Sequence, residues 1–252
     1  MKFFIYNFMK ARCEEEIIRG TELITRETKR YDREEDMMVF LLVPATALSA
    51  VSKKADHRFV KIGAQDMSPL RLGQVSGETS AEMLKLNGAD MAMAGAYARS
   101  SNICLYCGDS DELCGEKLTD IIKSGFKSLL GVTETIGRED GSRADAALLR
   151  QLEYGCKEIP EYAYYRFGVV YQPRLKENAA IDVRKRCAFI RKALAETVPG
   201  APEPLPVFYG GPMRGQEAVD MLTEGVCDGI FADDRSWDTE QFLRVVKAVC
   251  GE

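Results

Sequence analysis

The chain has 252 residues, 46% of them hydrophobic and 29% charged, with a formal net charge of −5. That length supports one large core, and the acidic balance lacks the basic face on which nucleic-acid binding depends. No run of eighteen apolar residues points to a membrane span, and the apolar start Met1–Tyr6 gives way to Lys10 and Arg12 as a first strand does, not a signal peptide, so cytoplasm is the expected compartment.

In chain order, short apolar runs alternate with stretches of helical pattern. A strand is expected over Phe3–Phe8 and a helix over Cys13–Arg30. Strands follow at Met38–Val43 and Phe59–Ile62, then a helix at Ser80–Leu86 and a strand at Met91–Ala94. Helix Leu113–Ser124 leads to strand Ser128–Val132, and helix Arg143–Cys156 to strand Phe167–Tyr171. Ile181–Ala195, Pro206–Tyr209, Gly215–Thr223 and Gly229–Phe231 read as helix, strand, helix and strand, with a last helix around Trp237–Val249. The basic cluster Arg184-Lys185-Arg186 reads as a solvated helix face.

Strands separated by helices pair in parallel through right-handed crossovers. Eight such units over this length give an α/β protein, a single closed (β/α)8 barrel in one domain over residues 1–252. An open doubly wound sheet is the alternative, but no GxGxxG follows the first strand.

A barrel of this kind places its site at the C-terminal strand ends. Those ends carry Asn7–Lys10, Ala64–Asp66, Gly95–Arg99, Thr133–Thr135, Gln172–Lys176, Gly210–Pro212 and Ala232–Asp234. Of the eight cysteines, Cys104, Cys107 and Cys114 have metal-like spacing, yet zinc needs a fourth ligand and the single histidine, His57, is remote in sequence. Reduced, unliganded thiols are therefore expected, with no metal.

Gly63-Ala64-Gln65-Asp66, Thr133-Glu134-Thr135, Tyr171-Gln172-Pro173 and Tyr209-Gly210-Gly211, in this order and spacing, resemble segments of the triosephosphate isomerase family along nearly the whole chain. Gly63-Ala64-Gln65-Asp66 and then Gly73–Lys85 look like its third loop and following helix. Thr133-Glu134-Thr135 resembles its Gly-Glu-Thr, Tyr171-Gln172-Pro173 its Tyr-Glu-Pro, and Tyr209-Gly210-Gly211 its Tyr-Gly-Gly. The resemblance implies a barrel of the family's type, no cofactor, and a homodimer through the loop Gly73–Glu78, which in this family inserts into the neighbouring subunit. It implies a glutamate base, a neutral histidine electrophile, a lysine and a water-excluding loop for isomerisation.

Carried over position by position, those groups are absent. Asn7-Phe8-Met9 puts a thioether in the place of the lysine. Gly95-Ala96-Tyr97-Ala98-Arg99 leaves Ala96 in the place of the histidine, and Gln172 stands where the base belongs. One general acid–base group contributes about 10²–10⁴-fold and an electrostatic donor about 10²–10³-fold. Such effects do not add, but losing all three leaves no recognisable route for the proton.

The phosphate site changes as well. After Pro173 the sequence runs Arg174-Leu175-Lys176-Glu177-Asn178, without the family's Gly-Thr-Gly tip. After the last strand it reads Ala232-Asp233-Asp234 where the family has Gly-Gly. A carboxylate about 4 Å from a negative charge costs roughly 4 kcal/mol at an effective dielectric of about 20. Two other roles for Asp233 and Asp234 are open: capping the last helix, or pairing with Arg174 and Lys176 across the mouth.

Candidate ligand-pocket residues are thus Asn7, Tyr97, Glu134, Gln172, Gly210, Gly211, Ala232 and Asp233. The first functional expectation is a binding or regulatory pseudoenzyme with an unidentified small-molecule ligand. The second is an enzyme of altered chemistry using Tyr97, Glu134, Asp233 or Asp234. The third is the family's aldose–ketose isomerisation. An open polar pocket around Gln172 and Ala96 favours chemistry, whereas one filled by Phe8, Met9 and Tyr97 favours a structural role.

Overall fold

Alternation along each strand builds the molecule from the axis outward. The computed structural model describes residues 1–10, 13–31, 37–70, 76–95, 109–136, 141–175 and 181–251. Ile5, Leu42, Met93, Leu129, Val170 and Phe231 meet along the axis. Their strand neighbours, among them Phe4, Tyr6, Leu41 and Val169, belong to the larger core shared with the helices. Both faces of the strands are covered, which is why they appear in sequence as continuous apolar runs.

The barrel strands are β1 (Lys2–Asn7), β2 (Met37–Val43), β3 (Val60–Ala64), β4 (Met91–Gly95), β5 (Lys127–Val132), β7 (Phe167–Tyr171), β9 (Val207–Tyr209) and β10 (Gly229–Asp233). They close in the order β1-β10-β9-β7-β5-β4-β3-β2, with every neighbouring pair parallel. The closing register runs from Phe3 opposite Gly229 to Asn7 opposite Asp233. Two further short strands, β6 (Thr135–Ile136) and β8 (Arg174–Leu175), pair in parallel above the barrel and tie its fifth and sixth loops together.

The helices are α1 (Glu14–Thr28), α2 (Leu48–Lys54), α3 (Ala81–Leu86), α4 (Asp111–Lys123), α5 (Gly141–Cys156), α6 (Val183–Thr197), α7 (Gly215–Thr223) and α8 (Thr239–Cys250). Ser80, Ser110, Asp182 and Asp238 start α3, α4, α6 and α8 by accepting a backbone N–H of the first turn. Gly88 ends α3 at φ 86°, and a Cβ there would lie 2.1 Å from the Ser52 hydroxyl, so both backbone and space demand glycine. Helix α2 has no counterpart in the sequence reading. It is short and uncapped by any side chain, and holds through burial of Leu48 and Val51.

Candidate functional site

A pocket of about 240 Å³ opens at the C-terminal strand ends, walled by the segments that follow β5, β7, β9 and β10. Gln172 sits in its wall, directly after β7, with its N–H donated to the Val132 carbonyl at 2.9 Å. The residue is 4% exposed, and neither Nε2 nor Oε1 has a hydrogen-bond partner among the described residues. Leaving such a buried amide unpaired costs about 1–3 kcal/mol. Gly210 makes room for it, since a Cβ at that position would lie 2.9 Å from Gln172 Cγ and 3.1 Å from Phe231 Cβ. Gly211 is equally constrained, because its Cβ would meet the Tyr209 hydroxyl at 2.4 Å.

Glu134 does not serve this pocket. Its carboxylate accepts the Tyr171 hydroxyl and two donors of Arg186, one of them Nε at 2.8 Å, and Arg186 also reaches Asp145 at 2.5 Å. Burial, reinforced by the Glu134 hydrogen bond and charge, pushes the Tyr171 phenol far above its usual range, so it remains a donor. Burial opposes the charge on Arg186, but Asp145 and Glu134 outweigh it and hold the guanidinium above its ordinary value. Thr133 spends its hydroxyl on the Gln172 carbonyl at 2.7 Å, and its backbone exchanges two hydrogen bonds with the Gln151 amide. Glu134, a ligand-contact candidate from the sequence, here acts as a strut that links the end of β5 to Tyr171 on β7 and Arg186 on α6.

Arg186 also corrects the reading of its own cluster. Arg184 and Lys185 do stay at the surface with Glu224 and Asp182. Helix phase brings Arg186 onto the same face as the buried Ile190 and Leu194, one and two turns on, where its planar fork matches the Glu134 carboxylate.

At the far wall, Asp233 is 5% exposed and pairs with Arg235, whose Nη2 lies 2.8 Å from its carboxylate. It also accepts the Arg235 N–H at 3.0 Å and the Ser236 hydroxyl at 3.4 Å. The Asp233 charge at the mouth is therefore compensated by Arg235. Asp234 accepts the N–H groups of Met9 and Lys10 at 2.8 and 2.7 Å, which shapes the first loop. Neither aspartate caps the last helix: Asp238 does so, in a reciprocal pair with Gln241. Arg235 is a partner of Asp233 that the sequence did not suggest, and Lys176 lies outside the described residues.

Asn7 is buried beside Asp233 and accepts the Gln65 amide at 2.7 Å. Phe8 turns away from the mouth to meet Tyr6 edge-on at 5.0 Å and to cover Gly20, while Met9 is 37% exposed. Neither fills the space around Gln172. Ala232 joins Gly210 and Gly211 in the pocket wall. Ala96 and Tyr97 lie outside the described residues, as do Cys104, Cys107 and the start of the Gly73–Glu78 loop.

Sequence reasoning missed three groups that organise this end of the barrel. Trp237 donates its indole N–H to the Met213 carbonyl at 3.3 Å, and its own carbonyl accepts the Tyr6 hydroxyl at 2.8 Å. Arg235 neutralises Asp233, a pairing foreshadowed only by its spacing of two. Lys117, 6% exposed on α4, bonds both oxygens of Asp66 at 2.9 Å and Asp109 at 2.7 Å. No motif flags that lysine, because its partners stand 51 and 8 positions away in the chain.

Chemically, the pocket offers hydrogen-bond donors and acceptors more readily than proton transfer. Among the described residues, the titratable side chains in its wall are Arg174, Asp233 and Arg235. Guanidinium groups do not give up protons near neutrality, and Asp233 is engaged in its ion pair.

The fold and these motifs have counterparts elsewhere. The family model described as triosephosphate isomerase matches residues 5–249. A protein named triosephosphate isomerase from Marinobacter nauticus is 27% identical over 219 residues, covering 85% of this chain and 84% of the relative. One named L-erythrulose-1-phosphate isomerase from Mesorhizobium japonicum is 28% identical over 211 residues, 82% of each chain. A crystal structure of triosephosphate isomerase from Bartonella henselae shares the fold with a TM-score of 0.80 over 98% of both chains at 22% identity. With a family match spanning nearly every strand and helix described above, the chain belongs to the triosephosphate isomerase family.

Proposed function

We propose that this barrel binds a small polar ligand at its mouth and does not efficiently isomerise triose phosphates, acting as a binding or regulatory pseudoenzyme. The observation that carries this reading is Gln172, buried with both amide heteroatoms unpaired in the position of the family's base. An amide has no useful basicity near neutrality, yet it can donate and accept a hydrogen bond at once. Met9 and Ala96 in the other two catalytic positions support the same conclusion. The ligand-facing set is Gln172, Gly210, Gly211, Ala232 and the Asp233–Arg235 pair, with Asn7 behind it and Tyr97 as a further candidate.

A second reading is supported by the relative named for L-erythrulose-1-phosphate: an isomerase acting on a different sugar phosphate. It requires a base other than Gln172, for which Asp233 would first have to leave Arg235.

The proposal includes one domain over residues 1–252, a cytoplasmic location and a twofold dimer through Gly73–Glu78. Gly77 supports the dimer loop, with φ 88° and open space where a Cβ would stand. The test is a coupled assay of triose-phosphate interconversion with protein from a host lacking its own isomerase, alongside ligand-observed NMR with dihydroxyacetone and dihydroxyacetone phosphate. The expected result is no turnover above background, with any binding weakened by Gln172→Ala. Turnover at enzyme-like rates would defeat the proposal.

A further inference from the structure

At the opposite end of the barrel, where the strands begin, lies a larger cavity of about 600 Å³. Phe3, Phe40, Met91, Leu129 and Phe208 form an apolar bowl within its wall, with Phe3 edge-on to Phe208 at 5.2 Å. This end of such barrels ordinarily contributes stability alone.

The same alternation that aims Leu129 at the axis aims Lys127, two residues earlier on β5, into the bowl. Lys61 on β3 shares the inward phase of Gly63, whose Cβ would meet Leu42 and Met91. The Lys61 ammonium donates to the His57 carbonyl. No hydrogen bond or ion pair engages the Lys127 ammonium among the described residues. Arg166, also in the wall, donates to the Gly125 carbonyl at 3.0 Å. Burial first, then repulsion from Lys61 and Arg166, holds the Lys127 pKa below its ordinary value. Asp90 acts in the other direction but is taken by His57 at 2.7 Å and the Ile62 N–H at 2.9 Å. The two wall carboxylates do not answer Lys127 either: Asp228 is bonded to Arg191 at 3.0 Å, and Glu203 lies exposed.

We propose that this cavity is a second binding site, independent of the mouth pocket, that takes a small apolar monocarboxylate. The hydrocarbon body lies in the Phe/Met bowl, and the carboxylate meets Lys127 with Arg166 beside it. The size falls in the range of small-molecule pockets, about 300–1,000 Å³, and the pattern of many apolar side chains around a few convergent charges is theirs.

The test is calorimetric titration of the full chain with 2-naphthoate. One saturable site is expected, weakened about tenfold or more by Lys127→Met and unchanged by Lys192→Met, an exposed charge deletion on α6. Methyl 2-naphthoate should bind at least about tenfold more weakly than the anion. Absence of saturable binding, equal affinity in Lys127→Met, or equal affinity for the ester would each overturn the proposal. Should Lys127→Met fail to fold, the unaltered chain decides: 2-naphthoate should slow acetylation of Lys127 by an activated ester, read by peptide mass spectrometry, and unchanged labelling counts against the site.

Discussion

Replacing Arg186 with methionine keeps most of the side chain's apolar stem and removes the cation from Glu134. The side chains are 19% and 1% exposed, so solvent screens the pair little. Arg186 gives Glu134 two hydrogen bonds and Asp145 a third, and among the described residues only the Tyr171 hydroxyl would remain to face the buried carboxylate. Removing one partner of a buried pair costs about 3–5 kcal/mol. The surviving Tyr171 donor places Arg186→Met near the lower end, about 3 kcal/mol. For a chain of this size each kcal/mol shifts Tm by about 2–4 °C, so a fall of about 6–12 °C is expected in thermal unfolding followed by circular dichroism. Glu134→Gln in the Arg186→Met background removes the stranded charge and should recover about half the loss. A single-variant cost under about 1 kcal/mol, or strictly additive losses in the double variant, would refute the assignment of Glu134 as a strut.

Lys117→Met should cost about 3 kcal/mol, because it strands Asp109 beside Asp66. Burial opposes the charge on Lys117, but Asp109 and Asp66 prevail and raise its pKa. A raised folded value means the contribution is complete below the unfolded lysine pKa of about 10.4 and fades as pH rises through the folded one. Urea unfolding across the alkaline range should therefore show the unaltered chain losing stability more steeply than the variant. Gly211→Ala should cost about 1–3 kcal/mol and shrink the mouth, since its Cβ would lie 2.4 Å from the Tyr209 hydroxyl and 2.8 Å from Pro173 Cγ. Its expected signature is a lower urea midpoint at unchanged slope. Burial pushes the Cys156 and Cys187 thiols up to about 12 and Cys227 up to about 11. Iodoacetamide at mildly alkaline pH should thus modify exposed Cys13 and spare these three until urea unfolds the chain.

The barrel strands were legible because each is covered on both faces and so carries a run such as Phe167-Gly168-Val169-Val170-Tyr171. Their polar ends were less so: β10 continues through Ala232 to Asp233, beyond the apolar signal, because the β1 register still pairs it. Strands β6 and β8 could not be read locally, since two residues each carry no periodicity and their pairing depends on where the barrel places two loops. The substitutions at Met9 and Gln172 stood out through motif order alone. The roles of Glu134, Arg186 and Asp233 did not, because charge in sequence does not reveal its partner. Arg186 left a faint trace, its four-residue spacing from Ile190 on the buried face of α6.

Solvent deuterium incorporation into dihydroxyacetone phosphate tests the central claim most directly, because it reads proton abstraction even when turnover is slow. Protein from an isomerase-deficient host should give no exchange above the enzyme-free background, as expected for an amide at position 172 and an Asp233 carboxylate held by Arg235. Exchange at enzyme-like rates, surviving Gln172→Ala, would place an active base elsewhere in the barrel mouth and contradict the account.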